Sequence, residues 1–174
     1  MKHKLIAMLC VAPMVLLETS PSFAKSFFNH PPTQVVIHNP ESTEGRSNRT
    51  TITIAVPRNA GNALGAIILR QLPTPDKWDW GHHEPHAYIG NYSLHQRGTS
   101  GLASAITSDS GEDLKIQFSP TIKPGQTVNV IFRSLNPEAG IYQWSTELVA
   151  DGDNPVHYVG PILRVNIYEQ SPYP

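Results

Sequence analysis

An all-β fold, a two-sheet immunoglobulin-like sandwich of about eight or nine short strands, is what this sequence predicts. Three observations carry that reading. No segment longer than about ten residues sustains the 3.6-residue period of a helix, whereas several runs alternate apolar and polar side chains with the two-residue period of half-buried strands. Turn-forming residues punctuate these runs at short intervals: Pro57 to Gly61, Asp109 to Asp113, Lys123-Pro124-Gly125, Asn136 to Gly140 and Asp151 to Pro155. Fourteen of the 16 prolines lie beyond residue 24, and almost all of them fall between the runs, where no ladder donor is lost.

The chain opens with a basic tip, Lys2, His3 and Lys4, followed by the apolar run Leu5 to Leu17 and the small-x-small sequence Ser22-Phe23-Ala24. This is the pattern of an export signal over residues 1–24, removed after Ala24. The run is short of the roughly 20 apolar residues that cross a bilayer, so no transmembrane anchor is expected after cleavage. Cys10 invites a lipid-attachment reading, but the residue before it, Leu9, is not small. The one cysteine leaves with the signal, and residues 25–174 must fold as a single domain by packing alone, without disulfide or thiolate chemistry. Lys2, Lys4 and Glu18 leave as well, so the mature balance is 11 basic against 13 acidic residues, a net charge of −2. Neither nucleic acid nor an anionic membrane surface is a partner that this charge predicts.

The strands follow in order. Gln34 to His38 comes first; then Ile52, Ile54 and Val56 face one way against Thr51, Thr53 and Ala55. Ala66 to Leu72, Tyr88 to Leu94 and Leu102 to Thr107 are further candidates. Leu114, Ile116 and Phe118 alternate with Lys115 and Gln117, and Val128, Val130 and Phe132 with Thr127, Asn129 and Arg133. Tyr142, Trp144, Thr146 and Leu148 form one face of the next run, which places Trp144 between the sheets, and Ile162 to Tyr168 completes the set. Pro73 to Pro85 is the longest stretch without alternation, a length usually reserved for function or mobility.

From residue 50 onward the chain resembles the cyanobacterial secreted family catalogued as domain of unknown function 2808. The residues that carry this are Val56-Pro57, Ala60-Gly61, Leu64 and Gln71, then Phe118 and Pro124-Gly125-Gln126-Thr127-Val128. Asn136-Pro137, Gly140-Ile141-Tyr142, Tyr158-Val159-Gly160, Arg164 and Tyr168 follow. The resemblance implies an exported β-sandwich and supplies no reaction, cofactor or catalytic residue. Between Trp78 and His95 the chain departs from the family pattern, so a role for that segment cannot be inherited.

That segment holds the unusual chemistry. His82, His83 and His86 lie within five residues, near Asp76, Asp79 and Glu84, with His95 nine residues beyond His86. Imidazole and carboxylate form the ligand set of Zn²⁺ and Cu²⁺. Pro85 blocks a helix that would align His82 with His86, so a metal site needs the loop to curl or His157 to approach from elsewhere. Against this stands a solvated loop whose tryptophans pack on the sandwich edge. A third reading makes Trp78, Trp80 and Tyr88 an aromatic platform for a sugar or peptide. Asp151-Gly152-Asp153-Asn154 resembles a fragment of a calcium loop but lacks its later Glu, and reads first as a hairpin turn.

Enzyme signatures are missing: no Gly-x-Ser-x-Gly elbow, no phosphate-cradling glycine loop, no His-Glu-x-x-His. Serines crowd residues 100 to 110 with no histidine nearby in sequence. The acceptor patterns at Asn48 and Asn91 matter only in a eukaryotic secretory pathway. The sequence therefore predicts an exported, non-enzymatic envelope module with no cofactor, resident in the periplasm or outside the cell, with a thylakoid lumen as a third compartment. It would meet an envelope protein or polysaccharide. The alternative is a small periplasmic Zn or Cu protein using the histidine loop. Mass spectrometry of the exported protein should find Lys25 as its first residue; an intact Met1 would remove both the export reading and the thiol-free argument.

Overall fold

The computed structural model describes residues 25–74, 76–108 and 111–171; the leader expected over residues 1–24 lies outside them. Ten strands alternate with turns: β1 (Gln34–His38), β2 (Ser47–Ala55), β3 (Leu64–Gln71), β4 (His86–Ile89) and β5 (Ala103–Thr107), then β6 (Asp113–Ile122), β7 (Thr127–Leu135), β8 (Gly140–Ala150), β9 (His157–Val159) and β10 (Leu163–Ile167). One sheet runs β1-β2-β7-β4 and the other β10-β8-β3-β6-β5, with β9 beside the far half of β8. Every strand pair is antiparallel.

This order is that of an immunoglobulin-like sandwich. Its first sheet reproduces the sequence first, second, fifth and fourth strand, and β10-β8-β3 reproduces the facing seventh, sixth and third. The chain crosses between sheets after β2, β3, β4, β6 and β7, so each sheet is built from segments distant in sequence. Non-local pairing of this kind leaves the hydrophobic pattern to set the register, because a slip of one residue would turn every apolar side chain to water.

The alternating faces explain the core. Ile52, Ile54, Val128, Val130 and Phe132 from one sheet meet Leu69, Ile67, Leu114, Ile116, Tyr142, Trp144 and Leu148 from the other, all buried. Trp144 has no exposed surface. The segment ahead of β1 is stitched to the opposite end: the Ser26 N–H donates to Asn154 O at 3.0 Å, Val156 N–H to Ser26 O at 2.8 Å, and Phe28 enters the core against Tyr158 at 5.4 Å.

Three departures from the sequence reading have physical causes. The run Tyr88 to Leu94 stops as a strand at Ile89, because Gly90 turns the chain with φ of 134°, a conformation closed to other residues. The short β9 carries only three residues, too few for a visible alternation. Pro120 lies inside β6, yet it sits at the register break opposite Leu64 and Ala66 and past the last β5 pairing at Phe118, so it interrupts no ladder bond.

Truncating Trp144 leaves the largest possible hole in this core, and Trp144→Ala should cost roughly 3 to 5 kcal/mol of unfolding free energy. Urea denaturation checks it; an unchanged midpoint would refute the packing described.

Candidate functional site

The strandless segment after β3 is held from within. Gln71, the last residue of β3, accepts the Trp78 N–H on Oε1 at 2.9 Å and donates through Nε2 to Thr74 Oγ1 at 2.7 Å and Asp76 O at 2.8 Å. Trp78 and Trp80 then turn inward, while the alternating Lys77 and Asp79 stay outside. Trp78 packs on Trp144 and Tyr142, each with ring centroids 5.3 Å apart; Trp80 packs on Trp144 at 5.5 Å and on Phe132 of the opposite sheet at 5.1 Å. The loop thus passes from one sheet to the other across the flank of the sandwich. At the crossing Gly81 lies so close to β7 that a Cβ would stand 2.6 Å from Arg133 O, and its φ of 81° is fixed by a turn in which Asp79 Oδ1 accepts its N–H at 2.7 Å.

Exposed His82, His83 and Glu84 follow, before buried Pro85 returns the chain to β4. Two adjoining cavities open around them. One, of about 380 Å³, lies between His83, Glu84, His86 and Ile131. The other, of about 360 Å³, lies between the same loop and Ala105 and Thr107 of β5, with Trp80, Leu114 and Phe132 at its floor. Both are lined by His83, Glu84 and Phe132, and together these two neighbouring cavities make up a flank cleft with apolar Phe132 and Leu114 beneath polar His83 and Glu84.

The residues expected to act together converge only in part: Trp78 meets Trp80 at 6.0 Å, and His83 and His86 line one cavity. Trp78 and Trp80, 3 % and 5 % exposed, belong to the core, and Tyr88, 8 % exposed, lies on the outer face of the first sheet; the three are no stacking platform. The Lys-Trp-Asp-Trp alternation at 77–80 was the available signal, since it is the two-residue pattern that buries one face. His82 and His83 stand on the turn, His86 in β4 and His95 on the next loop, and among the described residues no group of three or more His, Cys, Asp or Glu is placed to hold a metal ion. His157 is spent elsewhere, 3.1 Å from Glu147 Oε2 on the second sheet.

A second device roofs the first sheet. Arg49, facing outward from β2, donates Nη1 to Ser93 O at 3.3 Å and also to Leu94 O, and Nη2 to Gln96 O. Tyr88 Oη accepts the Ser93 N–H at 2.8 Å, Asn129 Nδ2 donates to Gly90 O at 2.7 Å, and the Tyr92 ring stacks on His38 at 3.6 Å. Under this strap, residues 90–98, the outward residues Thr51, Asn129 and Ile131 are as buried as the core. Burial lowers the pKa of His38 below its usual 6.5 and raises that of Tyr92.

Residues 25–167 match the model of the family described as protein of unknown function (DUF2808), and the chain belongs to that family. No curated protein matches the sequence. Among solved structures, an uncharacterized Nocardia farcinica protein with an immunoglobulin-like fold is 15 % identical, with 76 % of this chain and 96 % of that one aligned at a TM-score of 0.46. The collagen-binding subdomain of the Enterococcus faecalis surface protein ACE aligns over 76 % and 95 % of the two chains at 11 % identity and a TM-score of 0.46. The N-terminal domain of the Streptococcus gordonii adhesin Sgo0707 aligns over 78 % of this chain and 32 % of its own at 11 % identity and a TM-score of 0.47.

Because folding holds His38 neutral, protonation favours the unfolded chain. Its contribution is complete above pH 6.5 and is lost as the pH falls from there through the lowered native value. Stability measured against pH should therefore decline in that window, and His38→Gln should flatten this part of the profile; an unchanged slope would refute the assignment.

Proposed function

We propose that the mature protein is an exported, non-enzymatic module that binds a protein or polysaccharide partner of the envelope through the flank cleft. The observation that carries this reading is the construction of the cleft. His82, His83 and Glu84 are exposed on a loop whose two neighbouring tryptophans are anchored in the core, so the polar groups are presented from a rigid base. Preorganised polar groups over an apolar floor are what a recognition surface needs, because the ordering cost is met in folding rather than in binding.

Export is supported by the sequence of residues 1–24. The non-enzymatic reading is supported by the sequence, which carries none of the nucleophile, phosphate or metal signatures of an enzyme. Among the described residues no three His, Cys, Asp or Glu side chains are placed to hold a metal ion, so His82, His83 and Glu84 are read here as the polar rim of the cleft.

Affinity capture of the tagged mature protein from its own envelope, followed by mass spectrometry, tests the proposal. The wild type should retain a partner that the triple variant His82→Ala, His83→Ala, Glu84→Ala does not. Identical retained sets, or none, would overturn the assignment of the cleft.

A further inference from the structure

Among the described residues β5 is an edge strand, paired only with β6. The backbone bonds at its two ends set which of its groups are spent: Ser119 N–H donates to Leu102 O, and Ser108 N–H to Asp113 O. Both belong to the register in which Ser104 faces Gln117 and Ile106 faces Lys115, so these even-numbered residues bond to β6. The N–H and C=O groups of Ala105 and Thr107 must therefore point away from the sheet. Among the described residues nothing bonds to them.

The other edge near the cleft is closed. Ala87 of β4 exchanges two backbone bonds of 2.9 Å with Thr99, which caps that strand. β5, by contrast, has the sequence Ala-Ser-Ala-Ile-Thr, with no charge, no proline and an outward Ile106 that is 59 % exposed. Proteins ordinarily guard such an edge with lysine, proline or a bulge. An unguarded edge that opens onto a cavity is suited to receiving a strand.

We propose that β5 takes up an extended peptide segment of a partner protein as an added strand, which deepens, and rests on, the reading of this flank as a binding surface. The added backbone would pair with Ala105 and Thr107. Its residues opposite these two would point to the inner side, into the cavity over Trp80, Leu114 and Phe132, so the segment carries apolar side chains at alternate positions. On its far side stand His82, His83 and Glu84, which can donate to carbonyls and accept from N–H groups that the added strand leaves unpaired. A second copy of the chain fits less well, because the loop carrying His82, His83 and Glu84 stands across the space beside β5, in the way of the sheet that would come behind the pairing strand.

Heptapeptides selected from a random display library on the immobilised mature protein provide the probe. Selected sequences should alternate apolar residues, and Ala105→Pro should weaken their binding about tenfold or more, since it removes an outward N–H and leaves the β6 ladder whole. Methylating alternate backbone nitrogens of the peptide should do the same on one parity and not on the other, a test that leaves the protein untouched should the proline variant fail to fold. No selected peptide, or binding that survives both changes, would overturn strand addition. A dimer that Ala105→Pro dissolves would assign the edge to a second copy and overturn the partner peptide. An envelope partner lost with the His82, His83, Glu84 triple variant but kept by Ala105→Pro would overturn strand addition while leaving the binding-module reading intact.

Discussion

The contact on which the rest of this structure depends is the packing of Trp78 and Trp80 against Trp144. With no cysteine beyond residue 24, nothing covalent closes the flank of the sandwich. Rings meeting at 87° and 58° do so instead, one indole's positive edge on another's negative face, each pair adding about 0.5 to 1.5 kcal/mol beyond its burial. The gain is partly offset, because among the described residues nothing accepts the buried indole N–H groups of Trp78 and Trp144. That a chain accepts two such groups in one cluster shows how much the closure is worth. Without it the loop would have no fixed path between the sheets, and the cleft beside β5 would have no wall.

The opposite end is tied by polar groups rather than rings. Asn136, buried in the turn between β7 and β8, donates through Nδ2 to Glu41 O and Thr43 O at 2.9 and 2.8 Å and accepts from Asn48 Nδ2 at 2.9 Å on Oδ1. Its side chain serves as a surrogate strand for the irregular segment between β1 and β2. Such a network is stable only when complete, since any single loss strands the remaining buried groups. It also settles the acceptor pattern at Asn48: a side-chain amide enclosed in this way is out of reach of glycosylation.

Much of the fold was legible because strand and core share one signal. The strand that the sequence predicts over Gln34 to His38 is β1 with the same ends, and the buried faces of β2, β7 and β8 follow the two-residue pattern. The candidate site was legible only as a location. The segment from Trp78 to His86 is unusual in composition, but composition says nothing of convergence: among the described residues its histidines join no group of three metal-binding side chains, and its tryptophans serve the core. The strap was invisible for a different reason. Asn129 and Ile131 break the exposed half of β7's alternation, and the explanation lies more than 30 residues away in the carbonyls held by Arg49. Long-range closure of this kind leaves no local trace in a sequence.

Arg49 grips the strap by its main chain alone. Ser93, Leu94 and Gln96 each offer a carbonyl, and every residue type has one. Selection on the roof of the first sheet therefore acts on the path of the backbone and hardly on the letters along it. Across relatives, residues 93–96 should drift in identity while the spacing from Gly90 to Thr99 and the arginine itself hold still. Insertions there should be rarer than in the exposed turn at 151–154. In this protein a variable stretch of sequence would be the mark of a fixed piece of architecture.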